Sequence, residues 1–136
     1  MKKTLALVLT LLLALGGMTV AQAAPLEIEY WSVFTGADGA TMQAMVDSFN
    51  ASQDAVKVNH TPMTADDLYQ KLPLAVQTGS GIPDVVIVHI ERIPMFVKQE
   101  LIWPLDTLLE NGIKAEDYIP SAWARTDIDG EHYGIP

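Results

Sequence analysis

One stretch constrains the fold more than any other: Leu68 to Arg92, LYQKLPLAVQTGSGIPDVVIVHIER. Leu68, Leu72, Ala75 and Val76 repeat at helical spacing. Gly79 is placed to end that helix in the left-handed conformation. Pro73 lies inside it and is expected to kink or split it. Val85 to Val88 follows as a continuous β-branched run, the pattern of a strand covered on both faces. The strand leads into a polar loop, His89 to Arg92. In an open α/β sheet, ligands bind in the crevice outside the carboxyl ends of the strands. The 89–92 loop is therefore a candidate binding surface on position alone.

The flanking sequence extends the same alternation. Leu26 to Trp31 reads as a first strand, with Leu26, Ile28 and Tyr30 alternating with Glu27 and Glu29. That alternation implies one wet face, which sits uneasily with a parallel strand covered on both sides. After a loop with two glycines, a helix is predicted over about Ala40 to Ser52. Met42, Met45, Val46 and Phe49 make its apolar stripe, and Asp38 sits where an N-cap would be useful. Val56 to His60 is a short second strand, and Thr64-Ala65-Asp66-Asp67 resembles a capping box with Asp in place of Glu. Pro94 suits the first turn of a third helix, and a short one is expected over Leu105 to Glu110. Asp129-Gly130 is a strong two-residue hairpin signal. The order β-α-β-α-β-α implies an α/β fold, with a mostly parallel sheet, flanking helices and right-handed crossovers. Gly134-Ile135-Pro136 ends the chain without a polar tail, so the lobe is expected to be incomplete.

The first 23 residues read differently. Lys2 and Lys3, an apolar run from Leu5 to Leu15 and small residues at Ala21-Gln22-Ala23 form the pattern of a cleaved signal peptide. Cleavage is expected near Ala23/Ala24, with export to the periplasm. With no cysteine, the exported domain has neither a disulfide nor an N-terminal thioether lipid anchor. The net charge of −9 offers no basic footprint for nucleic acid and disfavours anionic membranes.

Four stretches resemble, in order and spacing, the N-terminal lobe of bacterial extracellular solute-binding proteins of family 1, the periplasmic sugar-binding components of ABC transporters. They are YWSVFTGADG (30–39), KLPLAVQTGSGIPDVVIVHIER (71–92), LIWPL (101–105) and DGEHYGIP (129–136), and the second is the most specific. The resemblance covers essentially all of residues 24–136. One departure is Glu100, at a helix end where the family often has glycine; because Glu is less comfortable at positive φ, that turn is expected to close differently. The other is Ile82, between Gly81 and Pro83, from which little follows.

The resemblance implies a periplasmic-binding-protein-like (type II) lobe of a two-lobe protein that closes on its ligand by hinge bending. It implies a carbohydrate ligand, a mono- or oligosaccharide or related polyol, delivered to membrane permease subunits by a monomeric protein that is not an enzyme. Glu91 resembles the acidic residue many sugar-binding members place after this strand. Its carboxylate suits two adjacent hydroxyls, or else simply the dipole of the helix starting near Pro94. His89, two residues earlier, is a candidate donor, and both point to one side if strand geometry persists. Phe34 offers an aromatic face for stacking on a sugar, with Thr35 beside it. Gly36 and Gly39 let a ligand approach the backbone closely. Asp38 suits either a hydroxyl or a helix cap.

No catalytic motif is present: no G-x-S-x-G, no H-E-x-x-H and no P-loop. His60, His89 and His132 lack metal-ligand spacing, Asp127-Ile128-Asp129-Gly130 lacks the further oxygen ligands of a calcium loop, and no cofactor is implied. The alternative is a fragment of an exported α/β hydrolase acting on carbohydrate; Asp38 and Glu91 alone do not establish a glycosidase pair.

Overall fold

The computed structural model of the protein describes residues 24–109 and 112–136. The expected signal peptide, residues 1–23, lies outside the described residues. The elements are β1 (Leu26–Ser32), α1 (Ala37–Ser52), β2 (Val56–Pro62), α2 (Ala65–Thr78) and β3 (Val85–Val86). A 3-10 turn at Ile90–Arg92 leads into α3 (Ile93–Lys98), followed by α4 (Asp106–Leu109) and α5 (Pro120–Trp123). The hairpin of β4 (Asp127–Ile128) and β5 (Glu131–His132) follows. The main sheet is parallel with order β2-β1-β3. This is the α/β order expected from the sequence. The hairpin turns on Asp129 and Gly130, both at positive φ, as its sequence requires.

Strand β1 pairs with β2 over all seven residues, from Leu26↔Val56 to Ser32↔Pro62. On its other side it meets β3 at Tyr30↔Val85 and Trp31↔Val86 only. Asp84 lengthens this short ladder. Its N–H donates to the Glu29 carbonyl at 2.9 Å, and its carboxylate accepts the Glu29 N–H at 2.8 Å. One more bond, Ile87 N–H to the Trp31 carbonyl at 2.9 Å, closes the pairing. The expectation of a strand over Val85–Val88 buried on both faces is corrected here. The strand is two residues long and lies at the sheet's edge, and Val85 is 49% exposed.

The polar alternation of β1 is explained by what lies across from it. Glu27 and Glu29 both accept from the Asn59 side-chain amide, at 2.9 and 3.0 Å, on a face that stays exposed. Lys57 Nζ lies 3.8 Å from Glu27, an exposed pair worth at most about 1 kcal/mol.

Helix α1 also departs from expectation. It begins at Ala37, not Ala40, and Gly36 takes the N-cap position in place of Asp38. Its expected stripe of Met42, Met45, Val46 and Phe49 is only partly covered. Val46 is buried, but Met45 is 61% and Phe49 45% exposed. Polar side chains set the docking instead. Asn50 donates to the Val58 carbonyl at 2.9 Å and accepts the Val58 N–H at 2.8 Å. Gln53 accepts from Ala55 and Val56 N–H and donates to the Val56 carbonyl. These bonds satisfy the outer edge of β2, which would otherwise present open backbone groups.

Helix α2 runs unbroken through Pro73, so the expected split does not occur. A mid-helix proline costs about 3 kcal/mol. Leu68 and Leu72 are fully buried, and burying each contributes about 1.5–3 kcal/mol, enough to outweigh it. Both helix ends are closed. The Thr64 hydroxyl accepts the Asp67 N–H at 3.1 Å and donates to the Asp67 carboxylate at 2.8 Å. The short Asp thus engages the hydroxyl, where a reciprocal box would have Glu engage the cap's N–H. At the other end Gly79 is left-handed, and the Ser80 N–H bonds to the Ala75 carbonyl. Phe96 of α3 completes the core with Leu68 and Leu72.

Helix α3 ends at Lys98, and Glu100, just past its Gln99 cap, has φ 56. The Leu101 N–H reaches the Phe96 carbonyl at 2.9 Å and the Glu100 N–H that of Val97 at 3.0 Å. The turn therefore closes as a glycine would close it, against the expectation of a different closure. The side chain carries the strain. Glu100→Gly is expected to stabilise the fold by about 1 kcal/mol, read as a higher urea midpoint at unchanged slope. A lower midpoint would mean that Glu100 makes a compensating contact.

Ser32, fully buried at the end of β1, donates from Oγ to His60 Nε2 at 2.7 Å. His60 Nδ1–H donates to Gln43 Oε1 at 2.9 Å, and the Gln43 amide donates to Asp47 at 2.8 Å. The Tyr30 ring stacks on His60 at 5.0 Å. Burial pushes the His60 pKa below its ordinary 6.5. The unfolded chain therefore binds the extra proton first, and stability present above pH 6.5 is lost as pH falls through the lowered folded value. The stability gap between wild type and His60→Gln is expected to narrow from pH 7.5 to pH 5 in urea unfolding. A gap that is constant or widens would show that His60 is not held neutral.

Candidate functional site

The carboxyl ends of β1 and β3 lie side by side, and the candidate residues fall in the two segments that leave them. The first segment runs from Val33 to Gly36. Phe34 is half-buried, and Thr35, Gly36 and Asp38 are exposed. The Phe34 N–H bonds to the buried Ser32 hydroxyl at 3.4 Å. Gly39 fixes the other side of Phe34: a Cβ built there would lie 2.6 Å from the Phe34 carbonyl oxygen. The close approach that glycine permits at position 39 is thus by the chain's own backbone, where a ligand was expected. Asp38 Oδ1 accepts N–H bonds from Gly36 at 3.1 Å and Gly39 at 2.9 Å. Its carboxylate holds the loop's own backbone at the first turn of α1.

The second segment is His89 to Arg92. The chain leaves extended geometry at Ile90 and enters a 3-10 turn, with the Arg92 N–H bonded to the His89 carbonyl at 2.8 Å. Strand geometry therefore does not carry through to Glu91, and the expectation that His89 and Glu91 share a side by alternation no longer applies. Both residues are exposed, and Glu91 sits one turn before α3.

Tyr69 organises this segment. Its hydroxyl accepts the His89 backbone N–H at 3.2 Å and lies within hydrogen-bonding distance of His89 Nδ1. The Arg92 guanidinium sits 4.8 Å from the centre of the Tyr69 ring, a cation–π contact. Phe96 also packs on Tyr69, T-shaped at 5.6 Å. Sequence reasoning placed Arg92 in the candidate loop but missed Tyr69 and the stacking of Arg92 on it. Tyr69 lies beside the Leu68–Leu72 stripe, and its tie to His89 spans twenty residues, beyond any local periodicity.

The surface is polar, with a carboxylate, an imidazole and a guanidinium within four residues. Such a set suits hydroxyl groups, since it offers both donors and acceptors. The Ser32–His60 pair has the spacing of a nucleophile and its base. Ser32, however, has no exposed surface, and His60 is oriented by the neutral Gln43. The pair ties β1 to β2. Among the described residues no group of acidic and histidine side chains could hold a metal ion, and no helix is long and apolar enough to cross a membrane.

Comparison with known proteins places the chain's family and fold. Residues 44–136 match the family model described as bacterial extracellular solute-binding protein. An arabinooligosaccharide-binding protein from Halalkalibacterium halodurans is 27% identical over 113 residues, covering 81% of this chain and 25% of that protein. The GacH receptor of Streptomyces glaucescens, solved unliganded and with acarbose, superposes with a TM-score of 0.73 at 24% identity. The match spans 84% of this chain and 29% of the receptor. An ABC transporter solute-binding protein from Agrobacterium vitis, solved with bound D-mannitol, gives 0.63 at 28% identity, over 79% of this chain and 26% of that one. The chain thus spans about a quarter of the length of the curated relative it matches. The fold is that of periplasmic-binding-protein-like sugar-binding proteins, and the chain belongs to the bacterial extracellular solute-binding protein family, a family of binding proteins.

Proposed function

We propose that the protein is the carbohydrate-binding component of an ABC importer. In this reading residues 1–23 direct export to the periplasm and are removed. Residues 24–136 form part of the N-terminal lobe of a monomeric two-lobe protein. It binds a mono- or oligosaccharide or a related polyol reversibly and delivers it to membrane permease subunits, without chemical turnover.

The observation that carries the reading is the donor and acceptor set of His89, Glu91 and Arg92, which follows the last ladder bond of β3, paired there with the strand that leads into Phe34 and Thr35. Sugars and polyols carry many adjacent hydroxyls, each both donor and acceptor. An exposed carboxylate accepts two of them without losing its hydration in the empty state. The relatives support the same chemistry: arabino-oligosaccharides and D-mannitol have hydroxyls as their common recognition groups. Phe34 supplies the apolar partner for a sugar's C–H face. Thr35 and Gly36 stand exposed beside it, and Asp38 holds their loop in place.

Glu91 is the residue whose loss should be felt most. Hydrogen bonds to a charged group contribute about 1.5–3 kcal/mol each, so Glu91→Ala should weaken binding by about 10- to 100-fold. Calorimetry with arabino-oligosaccharides, on the protein encoded by the whole reading frame containing this sequence, measures this. Unchanged affinity would remove Glu91 from the site. Release of shortened sugars during the titration would favour a hydrolase instead.

A further inference from the structure

We propose that Tyr69 is a positioning residue that fixes the tautomer of His89, holding Nδ1 as an acceptor and presenting Nε2–H to the strand-end surface as a donor. This deepens the proposed function and rests on it for the identity of the ligand.

The bonding pattern at the Tyr69 oxygen points to this tautomer. The His89 backbone N–H already occupies an acceptor site on that oxygen, at 3.2 Å. His89 Nδ1 lies within hydrogen-bonding distance of the same oxygen. A phenol is a better donor than a neutral imidazole N–H, and a bare imidazole nitrogen is a better acceptor than a phenolic oxygen. The phenolic proton therefore points to Nδ1, and the ring proton sits on Nε2. His89 is exposed, and among the described residues none bonds to Nε2. The Tyr69 ring is itself held by the Arg92 guanidinium and by a T-shaped contact with Phe96, so the donor is presented from a fixed support.

The consequence is a ligand specification. A fixed donor at His89, with an exposed acceptor two residues on at Glu91, suits a neutral molecule bearing hydroxyls, which both accept and donate. His60 provides an internal reference, because its Nδ1–H donates to Gln43 and its Nε2 accepts from Ser32. The two histidines should show opposite tautomers.

The test is long-range proton–nitrogen NMR of the imidazoles in the full 15N-labelled protein at pH 8. His89 is expected as the Nε2–H form and His60 as the Nδ1–H form. In Tyr69→Phe, which keeps the ring and loses only the hydroxyl, the His89 nitrogens should converge toward an averaged tautomer while His60 stays unchanged. Wild-type His89 in the Nδ1–H form, or a His89 spectrum unaltered by Tyr69→Phe, would overturn the assignment. If the variant fails to fold, the wild-type spectrum alone decides. In the same samples, arabinotriose should bind Tyr69→Phe about fivefold more weakly than wild type, the effect of one hydrogen bond. Absence of arabinotriose binding to the wild type would count against the carbohydrate reading while the spectra still decide the tautomer.

Discussion

Pairing of β1 on both edges is the constraint on which the rest of the structure depends. Seven residues pair with β2, and a shorter ladder, lengthened by the Asp84 carboxylate, pairs with β3. This fixes two outgoing segments next to each other, Val33–Gly36 and His89–Arg92. The Asp84 contribution gives the Pro83-Asp84 pair a physical role. Proline has no N–H to donate at position 83, and Asp84 offers both a backbone donor and a side-chain acceptor to Glu29. Without that second bond the β1–β3 contact would rest on very few ladder bonds, each worth about 1 kcal/mol net.

Edge protection on the other side comes from α1, whose polar face is as structural as any apolar one. Gln43, Val46 and Asn50 fall at i, i+3 and i+7, a single helical stripe, and Gln53 follows as the helix's C-cap. Asn50 and Gln53 satisfy backbone groups of β2 and its approach, and Gln43 orients His60. A stripe search weighted by hydrophobicity selects Met42, Met45, Val46 and Phe49, because hydropathy assigns no value to an amide that completes a strand edge. The choice misses by about one residue's rotation, and only Val46 belongs to both stripes.

Legibility followed the range of the physics. Caps and turns were readable because their chemistry is local. Thr64, Gly79, Pro94 and the Asp129-Gly130 turn all do what their residue types dictate. The parallel order was readable from alternation of periods. Burial of Val85–Val88 was not, because it depends on what lies beyond the free edge of β3, which local sequence does not encode. Glu100 shows the reverse failure. Its side chain disfavours the left-handed turn, yet the hydrogen bonds to Phe96 and Val97 impose it. At the strand ends, residue types and position together marked 89–92 and 34–38. The tie from Tyr69 to His89 is a tertiary contact between a helix face and a loop, with no short-range signature.

The two histidines show how position on a ladder decides whether a polar side chain serves the fold or is left available. His60 pairs in register with Tyr30 inside the β1–β2 ladder. Its ring lies over the sheet beneath α1, partly desolvated, and both nitrogens must find partners there or incur the cost of unmet hydrogen bonds. Ser32 and Gln43 supply them, and the ring is used up in joining two strands and a helix. His89 comes two residues after the last ladder bond, that of Ile87 to Trp31. Among the described residues no strand neighbour covers its exposed ring, and the nitrogen that Tyr69 does not engage is open to solvent. The same distinction separates Ser32, buried inside the β1 ladder, from Thr35, exposed beyond it. Polar side chains in this fold are therefore left unengaged where the ladders stop, and the length of the β1–β3 pairing sets which residues those are.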